Sequence, residues 1–268
     1  MSKKNKQKDI MKKLILIVII FSIFAEVSLS KNERDSGYDE QRSFFSAGAG
    51  VIITEDPYKG IDTKSQGIPF FLYRTERLSL FGPMVSYLIF EDDDWEIDAI
   101  TKIRFEGYEE DDSRFMQDMD ERKWTLEFGG SLSKKFPVGN VTADFSADIL
   151  NEHKGHELRL FYSYDFGGAL NRQALAVTPN IGLIYRSSQL NDYYYGVRES
   201  EINASRPEYK VGDSTGLMAG LRINYIYNEN LSLVGIISYE WLGSEIRHSP
   251  IVDKDFLESF LFGILYRF

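Results

Sequence analysis

The chain has 268 residues, 43% of them apolar, a net charge of -10 and no cysteine. The missing thiols exclude disulfides, thiolate metal sites and cysteine nucleophiles. The acidic balance argues against a nucleic-acid partner, which needs Lys and Arg to neutralise phosphate. Mean hydropathy is -0.29, a value that fits a soluble protein and equally a barrel whose strands turn one face to a polar lumen.

The amino terminus reads as an address. Residues 3–13 are basic, residues 14–25 are apolar except for Ser22, and Ser28 and Ser30 stand at the −3 and −1 positions of a cleavage site before Lys31. That order predicts a secretory signal over residues 1–30. The apolar run is too short for a spanning helix, which needs about 20 residues. Met11 is an alternative start, since Met11-Lys12-Lys13-Leu14 opens a complete signal by itself. Residues 31–42 form a short polar leader, and residues 43–268 the rest. No later stretch is apolar enough to cross a membrane as a helix, so a membrane location requires a closed sheet.

Period-two alternation then runs through most of the chain. The first segment, 43–54, alternates Phe45, Ala47, Ala49, Val51 and Ile53. Segments 66–75 and 78–90 follow, and Pro83 inside the latter demands a bulge or a break. After the acidic turn Glu91-Asp92-Asp93-Asp94, Trp95, Ile97, Ala99 and Ile103 oppose Glu96, Asp98, Lys102 and Arg104. A charged loop at 107–121 leads to 122–134, where Glu127 and Ser131 oppose Phe128 and Leu132. Strands follow at 141–149, 158–166 and 174–186, the last with Pro179, and a turn spans 167–173. Residues 187–213 are the longest irregular stretch. Strands at 216–227 and 231–241 precede a loop and the closing strand.

That closing strand places Phe260, Phe262, Ile264, Tyr266 and Phe268 on one face. An aromatic carboxyl terminus resembles the closing strand of bacterial outer-membrane barrels, in which it forms part of the signal read by the barrel-assembly machinery. Phe260, Phe262, Tyr266 and Phe268 are therefore the expected assembly signal. A soluble sandwich would also alternate, but its core is mostly aliphatic. Here Tyr164/Phe166, Tyr225/Tyr227 and Tyr239/Trp241 sit at strand ends like membrane-interface girdles. Charges such as Glu157/Arg159 and Lys102/Glu106 suit a lumen rather than hydrocarbon. The fold class expected is all-β, a transmembrane antiparallel up-and-down barrel. Eleven segments are visible, and barrels close on even numbers. Twelve strands are expected, with Tyr193-Tyr194-Tyr195 beginning the twelfth, and ten are the alternative if one segment does not span. A twelfth strand at Tyr193 would place residues 107–121 on the periplasmic side.

The candidate sites are few. His153 and His156 flank a turn, and His248 is the third histidine. Two imidazoles across a turn glycine need not converge on a metal, so no metal or other cofactor is expected. Ser249 beside His248 cannot readily present a nucleophile to its base, and no catalytic residue is assigned. Glu91-Asp92-Asp93-Asp94 and Glu109-Glu110-Asp111-Asp112 read as solvated turns, with divalent cations at the lipopolysaccharide layer as the other reading. Tyr193, Tyr194 and Tyr195 are a contact patch on the longest loop or a girdle segment.

Several stretches, in this order and spacing, resemble the MltA-interacting protein (MipA/OmpV) family. They are Gly48-Ala49-Gly50-Val51 followed by Asp56-Pro57-Tyr58-Lys59, then Val177-Thr178-Pro179-Asn180-Ile181-Gly182. Asn191-Asp192-Tyr193-Tyr194-Tyr195-Gly196-Val197 follows with Ser205 and Tyr209, then Ser249-Pro250-Ile251-Val252-Asp253 and Tyr266-Arg267-Phe268. Arg206-Pro207 departs from relatives that carry a small residue there, which predicts a differently shaped loop. The resemblance implies an outer-membrane barrel without catalytic residues. It also implies a scaffold bringing a lytic transglycosylase together with a peptidoglycan polymerase, with outer-membrane lipid and lipopolysaccharide around it. A small-solute channel, a surface adhesin and, third, a lipid hydrolase are the alternatives.

Overall fold

The computed structural model describes residues 43–166 and 174–268. The expected signal (1–30), the leader (31–42) and the turn at 167–173 lie outside the described residues. Twelve strands form one closed antiparallel barrel in which neighbours in sequence are neighbours in space and the last strand pairs with the first. They are β1 (Phe44–Thr54), β2 (Lys64–Arg74), β3 (Leu78–Phe81), β4 (Met84–Glu91), β5 (Trp95–Arg104) and β6 (Thr125–Phe136). β7 (Gly139–Asp148), β8 (His156–Ser163), β9 (Leu175–Arg186), β10 (Ser214–Ile226), β11 (Leu231–Trp241) and β12 (Phe256–Arg267) complete the wall. The circuit of strand pairing is closed, the condition for a sheet in lipid, and β2 pairs with β3 only at Leu72, Tyr73 and Arg74.

The strand number is as expected, but its origin is not. No strand begins at Tyr193. Those tyrosines end a helix, α1 (Ser188–Tyr195). The additional strand comes from the segment 78–90, which Gly82-Pro83 divides into the short hairpin β3–β4. Gly82 turns the chain at φ +54°, and Pro83, lacking an N–H, cannot continue the ladder. This relocates the parity question. The connections 75–77, 92–94, 137–138 and 227–230 are short and share one end with Phe268. The long connections 55–63, 105–124, 187–213 and 242–255 share the other. Outer-membrane barrels keep short turns in the periplasm and long loops outside, so residues 107–121 belong to the extracellular end and not to the periplasmic side that a strand at Tyr193 would give them.

The outward face carries the expected apolar residues, with Phe128, Leu160, Ile181, Phe262, Ile264 and Tyr266 all exposed. Phe45 stacks on Phe71 and on Phe268 (ring centroids 6.5 and 5.7 Å) and forms part of an aromatic belt at the periplasmic end. The inward face is two-sided. Along β1, β2, β11 and β12 it is apolar, with Ile52, Ile68, Phe70, Val234, Ile236, Leu261 and Leu265 packed together. A uniformly polar lumen is thus corrected, because a barrel of this size fills its seam with side chains. Phe70 lies over glycines: a Cβ on Gly50 would stand 2.4 Å from its ring and 2.5 Å from the carbonyl of Phe262. A Cβ on Gly48 would stand 1.8 Å from the carbonyl of Ile264. The Gly48-Ala49-Gly50 stretch is therefore a close-approach device at the β1–β12 seam.

Candidate functional site

The opposite half of the lumen is ionic. Alternation turns Lys102 and Arg104 of β5, Glu127 of β6, Glu157 and Arg159 of β8 and Arg186 of β9 inward, and all are buried. Glu157 accepts from Lys102 Nζ (2.8 Å) and Arg186 Nε (3.0 Å) and is ion-paired with Arg104 Nη2 (2.8 Å) and Arg159 Nε (2.6 Å). Glu127 bonds Arg104 and Lys102 and accepts from Ser146 Oγ at 2.8 Å. Arg186 reaches on to Glu240 of β11. Five strands are thus tied through two carboxylates that have no access to solvent, and Glu240 adds β11 through Arg186. Buried charges persist only when paired in this way.

Above this network the long loops fold into a cap. Tyr58, Ile61, Tyr108, Met116, Met119, Leu190, Tyr194, Tyr195, Val211, Leu242, Ile246 and Val252 form a single apolar cluster. In α1, Leu190/Tyr194 and Asn191/Tyr195 lie four apart and share the buried face. Asn191 Nδ2 donates to the carbonyls of Arg186 and Gly212 (3.2 and 2.8 Å), fixing the helix to β9. Asp213 accepts the Ser188 N–H at 2.6 Å. That backbone bond holds the Asp213 carboxyl below its ordinary range. Arg122 forks onto Glu201 (2.8 and 2.9 Å) with both side chains buried. Arg206 donates to the carbonyls of Phe115, Gln117 and Glu201. Burial drives the phenols of Tyr58, Tyr194 and Tyr195 up from their usual values, so they stay neutral.

Two cavities flank the network. One of about 90 Å³ lies under the cap and touches Lys102 and Arg104 of β5. One of about 30 Å³ lies toward the periplasm and touches Asp98 and Ile100 of the same strand.

The candidate residues fall as follows. Phe262, Tyr266 and Phe268 project outward from the closing strand, and Phe260 packs edge-on to Tyr239 at 6.3 Å. Of Tyr193, Tyr194 and Tyr195, the last two are inside the cap, whereas Tyr193 lies nearer its surface and donates to Glu152 at 3.3 Å. His153 points into the lumen at Glu127 (3.2 Å), while His156 lies between the rings of Phe145 and Tyr185. His248 is exposed, and the Ser249 hydroxyl donates to the Tyr195 carbonyl at 2.6 Å. Glu91-Asp92-Asp93-Asp94 is at the periplasmic end, opposite the lipopolysaccharide layer, and Asp92 accepts the N–H groups of Asp94 and Trp95. Arg206, read only as a departure from relatives, is a tie between the two large loops.

A closed antiparallel barrel with a greasy, aromatic-ringed exterior and an ion-paired interior is an integral protein of the outer membrane. A family model described as MltA-interacting protein MipA matches residues 47–268, and the chain belongs to that family. It is 28% identical to outer membrane protein OmpV of Vibrio cholerae over 90% of this chain and 94% of that one. It is 30% identical to the MltA-interacting protein of Escherichia coli, over 84% and 90%. Among solved structures, the COG4313 outer membrane channel from Pseudomonas putida F1 matches at 11% identity with TM-score 0.45, over 84% of this chain and 94% of that one.

Proposed function

We propose that this protein is a non-catalytic scaffold of the outer membrane that holds a lytic transglycosylase, and with it a peptidoglycan polymerase, at its periplasmic end. The observation that carries the reading is the interior. A lumen crossed by buried ion pairs and roofed by an apolar cap suits a protein that holds rather than one that passes solutes. The name of the Escherichia coli relative, which is 30% identical, supports a murein-hydrolase partner. The docking surface is then the set of short turns at 75–77, 92–94 and 227–230. Its Glu76 and Asp92-Asp93-Asp94 favour a partner with a basic face.

The test is capture. Tagged barrel extracted in mild detergent retains a lytic transglycosylase, and replacing Asp92, Asp93 and Asp94 together by Asn weakens that retention about tenfold. Repeated capture without any murein enzyme, from envelopes that contain one, overturns the proposal.

A further inference from the structure

The split of segment 78–90 leaves the barrel wall incomplete in its outer half. β2 runs the full height beside β1, from Phe44↔Arg74 to Thr54↔Lys64. On its other side it meets β3 only at Leu72, Tyr73 and Arg74. The hairpin tip reaches no higher than the Gly82 N–H on the Phe71 carbonyl (3.3 Å) and the Pro83 carbonyl on the Ile103 N–H (3.4 Å). Above it, β2 from Lys64 to Phe70 has no strand beside it, and β5 ends one residue beyond Ile103. The result is a notch at the level of the outer leaflet, closed below by the hairpin and above by the cap. The cavity under the cap is lined by Lys64 on one flank of this notch and by Phe105 and Gly107 on the other.

The backbone register defines what the notch offers. The Phe71 carbonyl faces the hairpin, and backbone groups alternate sides along a strand. The carbonyls of Ser65, Gly67 and Pro69 and the N–H groups of Ser65 and Gly67 therefore face the notch. Among the described residues no strand or loop hydrogen bond reaches them. Pro69 has no N–H, so acceptors outnumber donors. Pro also hinders a further strand from pairing there. The outward side chains at this edge are Ser65, Gly67 and Pro69, all small, and a Cβ on Gly67 would come no closer than 4.0 Å to another atom. Unpaired carbonyls cannot face acyl chains without cost. Their occupant must bring hydroxyl or amide donors and must live in the outer leaflet.

We infer that the notch beside β2 binds a glycolipid of the outer leaflet through its hydroxyl and amide groups, which complete the unpaired edge from Ser65 to Pro69. This rests on the outer-membrane location and not on the scaffold reading. A second copy of the chain pairing strand to strand is the competing occupant.

Residue-resolved amide exchange on the refolded wild-type barrel in a phosphocholine detergent tests it. The Ser65 and Gly67 amides exchange fast there, while Gln66 and Ile68, turned to β1, are protected. Purified lipopolysaccharide slows Ser65 and Gly67 by about tenfold or more, and phosphatidylcholine does not. Protection of Ser65 and Gly67 before any lipid is added overturns the inference. So does equal slowing by phosphatidylcholine, or slowing that tracks protein concentration alongside a dimer on light scattering.

Discussion

Replacing Glu157 by Gln removes one charge from a site where Lys102, Arg104, Arg159 and Arg186 all approach within 3.0 Å and the carboxylate has no solvent access. Gln is nearly isosteric, so no cavity forms and the loss is electrostatic. Breaking a buried pair by removing one partner costs about 3–5 kcal/mol, because the remaining charge is left uncompensated. Here Lys102 and Arg104 keep Glu127, and Arg186 keeps Glu240. Arg159 is left most dependent on what remains, so the lower end, about 3 kcal/mol, is expected. With a urea slope of about 2 kcal/mol/M, the unfolding midpoint falls by about 1.5 M. The assay is urea unfolding of the refolded barrel, followed by tryptophan fluorescence and by the gel shift on heating. The internal control is Asp120→Asn, which breaks the exposed pair with Arg198 (side chains 63% and 48% exposed) and costs about 0–1 kcal/mol. A Glu157→Gln shift no larger than that of Asp120→Asn refutes the claim that this network holds the lumen together.

Gly50→Ala drives a methyl into Phe70 and the Phe262 carbonyl and destabilises by about 1–3 kcal/mol. Gly67→Ala, which meets nothing closer than 4.0 Å, shifts the same midpoint little. Acidification loosens the cap at α1. The Asp213 carboxyl is lowered in the folded protein, so its contribution is complete above the unfolded value of about 3.9 and is lost as pH falls through the folded one. Protease cleavage within 187–213 therefore rises below about pH 4, and Asp213→Asn cleaves at higher pH at a rate that no longer changes. Deleting Phe268 removes its N–H bond to the Phe45 carbonyl (3.1 Å) and its stacking on Phe45. Assembly into the membrane drops while export is unchanged. A normal heat-modifiable barrel after that deletion refutes the role of the terminal aromatic.

Much of the wall was legible because a strand in lipid repeats every two residues, and a sequence displays that directly. The outward positions of β5, β6, β8, β10 and β12 follow from it. The division of segment 78–90 was signalled by Gly82-Pro83, but a proline cannot tell a bulge from a turn. Tyr193-Tyr194-Tyr195 has strand-like composition, yet the burial of Tyr194 and Tyr195 inside the cap goes with a helix. Tertiary packing overrode local preference there. Glu157 and Arg159 were visible as lumen charges. The meeting of Glu157 with Lys102, 55 residues away, depends on strand tilt and shear, which no local pattern encodes. Arg206 gave a signal only as an oddity. Two of its three carbonyl partners lie 91 and 89 residues earlier, and the third is in its own loop.

A lumen closed to solutes is the central feature of this barrel. Planar-bilayer recording from the purified, refolded protein tests this most directly. Held by the buried network around Glu127 and Glu157 and roofed by the loop cluster, the wild-type barrel is expected to pass no steady current in neutral salt. Discrete, long-lived conducting steps from the intact wild-type chain contradict the account and favour a solute channel.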